Sequence, residues 1–186
     1  AAAVTRRSAE AEAQRLELLA RRWAWDTFAW HKEGVRTHDC VGGDFHCLTA
    51  GHCYAPEFAP ALQTLPQAPE AVGRVLELGV CGGSSLGMWA EFFPNSTVVG
   101  ADASDESLRQ AWPEVRARLG TARARRVHLA LADYADPAAV RAVTRHGPFD
   151  IIIDDGSHEE DMMFAAFNIF FFAQRGLRPG GLYAIF

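Results

Sequence analysis

The chain has 186 residues, of which 49% are hydrophobic and 22% are charged, and its formal net charge is −5. This composition is typical of a globular domain with a substantial core, and its negative charge argues against a nucleic-acid binder held by phosphate contacts. The longest apolar stretch, residues 162–173, is interrupted by Asn168 and is too short to cross a bilayer, so we expect no transmembrane segment.

The first 33 residues are predicted to carry an amphipathic helix over 5–31, because apolar side chains recur among polar ones without Pro or Gly. The helix carries more tryptophans than one buried face needs: Trp23, Trp25 and Trp30. They could pack against the main domain or contact a protein partner, and both interpretations stay open. The chain opens Ala-Ala-Ala-Val-Thr-Arg-Arg without Met. A processed end after an organellar presequence, a retained part of one and a cloning boundary are all compatible with this, which leaves the localisation open.

Residues 34–73 are predicted to form an irregular cap over the ligand site described below. The segment is dense in residues that bind metals or form disulfides: His38, Cys40, His46, Cys47, His52 and Cys53. Their spacing matches no zinc module, and no C-x-x-C pair is present. A metal site, a disulfide and free thiols remain the three alternatives.

Residues 74–186 alternate between short apolar runs and amphipathic segments, which predicts a Rossmann-like α/β domain. The strands are predicted over 75–80, 97–101, 127–132, 150–154 and 182–186. The helices are predicted over 84–93, 105–119, 137–146 and 160–175. Such alternation gives a mostly parallel sheet between two helical layers, and we expect the strand order 3-2-1-4-5.

A glycine-rich turn, Gly79-Val80-Cys81-Gly82-Gly83, follows the first predicted strand. Glycine tolerates positive φ and lets a ligand approach the backbone, and the following helix directs its N–H groups into the cleft. Cys81 stands where the dinucleotide fingerprint has its middle glycine. A nicotinamide-dependent oxidoreductase is therefore a weaker interpretation than another nucleotide-binding function.

Polar residues end the other predicted strands, at the edge where ligands bind to parallel α/β sheets. Asp102 ends strand two and suits the two hydroxyls of a ribose. Asp133 and Tyr134 end strand three, where they could meet an adenine. Strand four ends in Asp-Asp-Gly-Ser-His, residues 154–158. Together these ends predict a nucleoside site.

These motifs, with Arg-Pro-Gly-Gly-Leu-Tyr at 178–183, resemble the class I S-adenosylmethionine-dependent methyltransferases. Within that class the chain looks like the metal-dependent O-methyltransferases of macrolide and rhamnose sugars, a group often labelled cephalosporin hydroxylase. The resemblance covers residues 51–186. It implies methyl transfer to a hydroxyl of a sugar or other small molecule, without a nucleic-acid partner.

The resemblance also implies roles for individual residues. The methionine end of the cofactor would be lined by Glu77, Gly79, Gly83 and Ser84. The rest of the cofactor would be held by Asp102, Asp133, Tyr134 and Asp154. Asp155 would ligate Mg²⁺, and His158 would be the general base.

One departure from the family qualifies this interpretation. In the family an acidic Glu-Asp pair that completes the metal site follows strand five, and two further strands and a helix come later, whereas this sequence stops at Phe186. Either the sequence is a fragment of a longer chain, or something else covers the edge of strand five. The alternative to a methyltransferase is an inactive methyltransferase-like structural subunit, whose partners cover the strand-five edge and the Trp-rich helix.

Overall fold

The computed structural model describes residues 6–27, 53–80, 83–103, 105–133 and 136–186, with backbone only at 24–27, 105–108, 110 and 111. The helices are α1 (Ala9–Thr27), α2 (Ala55–Leu62), α3 (Ser84–Phe92), α4 (Asp105–Ala124), α5 (Pro137–Thr144) and α6 (Glu160–Phe172). The strands are β1 (Arg74–Leu78), β2 (Thr97–Asp102), β3 (Val127–Leu131), β4 (Phe149–Asp154) and β5 (Leu177–Ile185). Within these ranges no helix combines the length and apolar character needed to cross a membrane.

The five strands form one parallel sheet in the order β3-β2-β1-β4-β5. This confirms the predicted Rossmann-like α/β fold and its strand order. The central strands are continuous apolar runs because helices cover both of their faces; Ile151, Ile152 and Ile153 of β4 are all fully buried. Alternate residues of these strands pack against α1 to α4 on one face and against α5 and α6 on the other.

Helix α1 is fixed to the domain through the ring of Trp23. The ring lies against Gly87 of α3 so closely that a Cβ added there would be 2.4 Å from it. Arg118 of α4 places its guanidinium 4.4 Å from the ring centroid and donates a 2.6 Å hydrogen bond to the carbonyl of Arg22. The predicted N-terminal helix is confirmed, although it begins at Ala9 rather than at residue 5. Its predicted last residues, 28–31, lie outside the described residues.

Helix α2 lies in a segment that was predicted to be irregular, and that prediction is wrong for residues 55–62. Pro56 occupies the first turn, where its missing N–H removes no helical hydrogen bond. The helix forms because Phe58 and Leu62, each 1% exposed, bury their side chains in the core shared with α1 and α3. Residues 34–52 of the predicted cap lie outside the described residues, and the predicted domain boundaries stay predictions.

Strand β5 begins at Leu177, five residues before the predicted start. Leu177 pairs with Phe149 and Leu182 pairs with Ile151, so three extra residues of β5 bulge out between these pairs. The Arg-Pro-Gly-Gly sequence there suggested a turn because Pro and Gly usually interrupt strands. Here an ion pair between Arg178 and Asp150, 2.5 Å apart, holds the bulge against the sheet.

Four helix ends also differ from the predictions. Helices α3, α5 and α6 end at Phe92, Thr144 and Phe172, which is one, two and three residues early. Helix α4 extends to Ala124, but Gly120 has the non-helical angles φ 72° and ψ 162°, so its regular part ends at Leu119 as predicted.

Candidate functional site

The glycine turn after β1 lies directly against the turn after β4. Gly79 and Gly83 have φ angles of +79° and +77°, which L-residues with side chains rarely adopt. A Cβ on Gly79 would be 2.2 Å from the carbonyl oxygen of Asp155, so only glycine fits there. The N–H of Asp155 donates to the carbonyl of Leu78 at 2.9 Å, which joins the two turns. Cys81 and Gly82 lie outside the described residues.

Asp102 reaches this turn from the end of β2. Its Oδ2 accepts a 2.9 Å hydrogen bond from the N–H of Val80, and the side chain is half-buried. The carboxylate therefore lies at the carboxyl edge of the sheet beside the glycine turn, which is where a ribose-binding acid has to be.

Glu77 lies beneath the turn and is 1% exposed. Its Oε1 accepts a 3.0 Å hydrogen bond from the indole N–H of Trp89, and its Oε2 accepts a 2.9 Å hydrogen bond from the hydroxyl of Ser85. Both oxygens thus receive donors from α3, so this carboxylate fixes the start of α3 relative to β1. Ser84 is the first residue of α3 and is also buried.

Asp154 ends β4 and is 2% exposed. The hydroxyl of Tyr183 donates a 2.9 Å hydrogen bond to its Oδ2. Burial raises the pKa of the Asp154 carboxyl, while the hydrogen bonds from Tyr183 and the Gly156 N–H and the charge of His158 act to lower it. The contact between Tyr183 and Asp154 was not predicted, although side-chain alternation along β5 carries a signal for it: Tyr183 pairs in register with Ile152, two residues before Asp154.

The remaining predicted site residues lie near the same edge. Asp155 is half-buried and follows Asp154, while His158 is exposed just before α6. Asp133 is exposed beyond β3, and the hydrogen bond from the Ala132 N–H to the Asp102 carbonyl, 2.9 Å long, joins the ends of β3 and β2. Tyr134 lies outside the described residues.

A metal site would need several hard ligands around Asp155. Among the residues that the structure describes, no group of three or more His, Cys, Asp or Glu could hold a metal ion. The described donor set therefore does not fit a complete Mg²⁺ site. Of the three alternatives for the cysteines, Cys53 forms a disulfide whose partner lies outside the described residues.

Two curated relatives are similar in sequence to a large part of this chain. One is the 8-demethyl-8-alpha-L-rhamnosyl tetracenomycin-C 2'-O-methyltransferase of Streptomyces olivaceus, which is 38% identical over 148 residues, covering 75% of this chain and 32% of the relative. Another is the L-olivosyl-oleandolide 3-O-methyltransferase of Streptomyces antibioticus, 39% identical over 120 residues, covering 60% of this chain and 27% of the relative. The chain belongs to the class I S-adenosylmethionine-dependent methyltransferases.

The methyltransferase fold is also found in a solved structure, that of PKMT2 from Rickettsia typhi in complex with AdoHcy. It matches with a TM-score of 0.52 at 20% identity, covering 67% of this chain and 23% of that one, which shows a common fold. No family model matches the chain. This chain spans only 32% and 27% of the lengths of the two curated relatives described above.

Proposed function

We propose that this chain carries the methyl-transfer site of an S-adenosylmethionine-dependent O-methyltransferase that acts on a sugar hydroxyl. The observation that carries the proposal is the convergence of the glycine turn, Asp102 and the Asp154–Asp155 turn at one edge of the sheet. The 38% identity to a rhamnosyl 2'-O-methyltransferase supports a sugar as the acceptor class.

The cofactor would lie along the ends of β1, β2 and β3. Asp102, held at the turn by Val80, would accept hydrogen bonds from the ribose hydroxyls, and Asp133 would lie toward the adenine. The left-handed glycines Gly79 and Gly83 keep side chains away from the turn, which would let the methionine moiety approach the backbone. Glu77 would contribute by fixing the start of α3, since both of its oxygens receive hydrogen bonds from that helix.

Methyl transfer requires in-line attack by the acceptor oxygen on the methyl carbon. The O–CH₃ bond forms as the S–CH₃ bond breaks, S-adenosylhomocysteine leaves, and the hydroxyl proton has to be accepted by a base. We assign that role to His158, which is exposed at this edge and close enough for its charge to lower the pKa of Asp154. Asp154, buried and bonded to Tyr183, would orient the turn that carries His158.

No step is assigned to Mg²⁺, because the described residues do not complete a site for it. The predicted role of Asp155 as a metal ligand therefore stays a prediction. The alternative of an inactive structural subunit is not favoured, since both relatives described above are named as methyltransferases.

The proposal is tested by incubating the protein with radiolabelled S-adenosylmethionine and 8-demethyl-8-alpha-L-rhamnosyl tetracenomycin C, with and without Mg²⁺. We expect label in the rhamnose moiety. His158→Ala should lower turnover by about 10²–10⁴-fold, the contribution typical of a general base, while cofactor affinity stays within about twofold. A His158→Ala protein that methylates at the parent rate would remove His158 as the base. A folded parent protein that binds no S-adenosylmethionine would refute the proposed function.

A further inference from the structure

An open cavity of about 600 Å³ lies along α4. The residues that line it include Trp112, Arg116, Gly120, Thr121, Arg125 and Val127. Val127 is the first residue of β3, so one end of the cavity is at the amino edge of the sheet. None of the described cofactor candidates lines it, which makes the cavity a separate site. Its volume is within the range of about 300–1,000 Å³ that is typical of small-molecule sites.

The shape of the cavity depends on a break in α4 at Gly120. The regular helix ends at Leu119, and Gly120 has φ 72° and ψ 162°, which turn the chain out of the helical path. A Cβ added to Gly120 would have no other atom within 4 Å, so open space lies beside its backbone. Because of this break, Arg116 and Arg125 line the same cavity although they lie on either side of it along the chain.

The cavity carries a positive charge that no lining residue compensates. Arg116 and Arg125 are exposed, and neither guanidinium forms a hydrogen bond or ion pair within the part of the chain that the structure describes. Arg126, the next residue, differs because its guanidinium donates a 3.0 Å hydrogen bond to the carbonyl of Ala90. No Asp or Glu is among the described residues that line the cavity. Two such guanidiniums in one cavity favour an anionic ligand, and a phosphate group matches the planar fork of a guanidinium.

Trp112 gives the cavity an aromatic wall. Its side chain is half-buried and packs against the core shared by α1 to α4. The Cε3 of the ring would be 4.0 Å from a Cβ added to Gly83, so Trp112 lies beside the glycine turn at one end of the cavity. A ring that is fixed against the core offers a flat ligand a surface on which to stack. The cavity thus combines an aromatic wall with two cations.

We propose that the α4 cavity binds an organic phosphate that carries a flat ring, of the nucleoside diphosphate class. The ring would stack on Trp112, and the phosphate oxygens would accept hydrogen bonds from Arg116 and Arg125. The hydroxyl of Thr121 would donate a further hydrogen bond to the same group. Two separate guanidiniums suit a diphosphate because each can pair with its own phosphate. The inference goes beyond the proposed function and does not depend on methyl transfer.

The site is tested by calorimetric titration with uridine diphosphate, because an adenine nucleotide could also enter the proposed cofactor site. We expect the parent protein to bind, and the affinity to be at least about tenfold weaker in Arg116→Gln and in Arg125→Gln, the loss typical of a charge-assisted hydrogen bond. The matched control is Arg141→Gln, which removes an exposed guanidinium on α5 outside the cavity and should change the Kd less than about twofold. Thermal unfolding checks that each variant is folded.

Two further ligands separate the parts of the site. Pyrophosphate lacks the ring and uridine lacks the phosphates, so each should bind at least about tenfold more weakly than uridine diphosphate. Saturation-transfer NMR from the protein to the uracil protons should show contact in the parent protein. This contact should be lost in Ala117→Phe, which fills the cavity from an exposed position and keeps both arginines.

The site is overturned by a folded parent protein that does not bind uridine diphosphate, by parent-like affinity in both arginine variants, or by an equal loss in Arg141→Gln. Pyrophosphate that binds as tightly as uridine diphosphate would remove the Trp112 ring from the site. Displacement of uridine diphosphate by saturating S-adenosylmethionine would assign it to the cofactor cleft and would also overturn the proposal. Since none of these readouts uses turnover, a failure here leaves the proposed methyl transfer untouched.

Discussion

Replacing Tyr183 by Phe removes one hydroxyl and leaves the ring in place. The hydroxyl donates to the Oδ2 of Asp154 at 2.9 Å, and Asp154 is 2% exposed. The ring packs edge-on against Phe167, with centroids 5.1 Å apart, and this contact does not involve the hydroxyl. Tyr183→Phe therefore isolates a single hydrogen bond to a buried carboxyl group.

The expected loss of unfolding free energy depends on pH. A donor to an ionised acceptor contributes about 1.5–3 kcal/mol, and a donor to a neutral acceptor contributes about 1 kcal/mol. Because burial raises the folded-state pKa of Asp154 above 3.8, the parent protein loses stability as the pH rises from 3.8 through that raised value. Removing the Tyr183 donor raises the folded pKa further, so this loss grows. The variant should thus be destabilised by about 1.5–3 kcal/mol near neutral pH and by less in acid.

The assay is urea unfolding of the parent and variant at several values from about pH 7.5 down to about pH 4. Ser96→Ala is the matched control, since the hydroxyl of Ser96 is buried and donates to the neutral carbonyl of Val72 at 2.6 Å. Its destabilisation should be independent of pH. A Tyr183→Phe loss that is equally independent of pH, or below about 0.5 kcal/mol, would refute the reasoning.

Two further predictions concern packing and titration. Gly87→Ala would place a Cβ 2.4 Å from the Trp23 ring, so we expect it to lower the free energy of unfolding in urea by about 1–3 kcal/mol. Most of this loss should disappear when Trp23 is also replaced by Leu. The same loss with and without the Trp23→Leu change would exclude the steric cause. Burial lowers the pKa of His146, and the charges of His128, Arg145 and Arg74 lower it further. The contribution of His146 to the free energy of unfolding should therefore be fully present above pH 6.5 and should be lost as the pH falls from 6.5 through the lowered folded-state pKa. His146→Gln should reduce this pH dependence in urea unfolding. If the variant and the parent lost stability equally with falling pH, His146 would not be the titrating group.

The central sheet could be predicted from the sequence because its strands are short apolar runs bounded by turn residues. The location of the site at the ends of β1, β2 and β4 was predictable as well, because parallel strands bring their carboxyl ends to one edge of the sheet. Helix α2 was missed because two prolines in eight residues hide the spacing of Phe58 and Leu62. The early start of β5 was missed because its bulge is held by a contact between distant residues, Arg178 and Asp150.

The contacts within the site were less predictable than its location. Glu77 was assigned to the cofactor from the resemblance alone, and the sequence has no local signal that Trp89 and Ser85 would bond to both of its oxygens. Tyr183 was seen as part of a motif, and only the strand register brings it to Asp154. The roles of Asp133, Asp155 and His158 stay predictions that depend on a bound ligand.

The most direct test of the account is a calorimetric titration of the parent protein and Asp102→Asn with S-adenosylmethionine. The variant keeps an oxygen for the Val80 N–H but replaces the charged acceptor proposed for the ribose. Glu10→Gln, which neutralises an exposed acid in the first turn of α1, is the control for the change in charge. The account predicts a parent Kd of about micromolar order, a Kd about 10- to 150-fold weaker for Asp102→Asn, and no change for Glu10→Gln. A folded parent that does not bind, or an Asp102→Asn protein that binds as tightly as the parent, would contradict it.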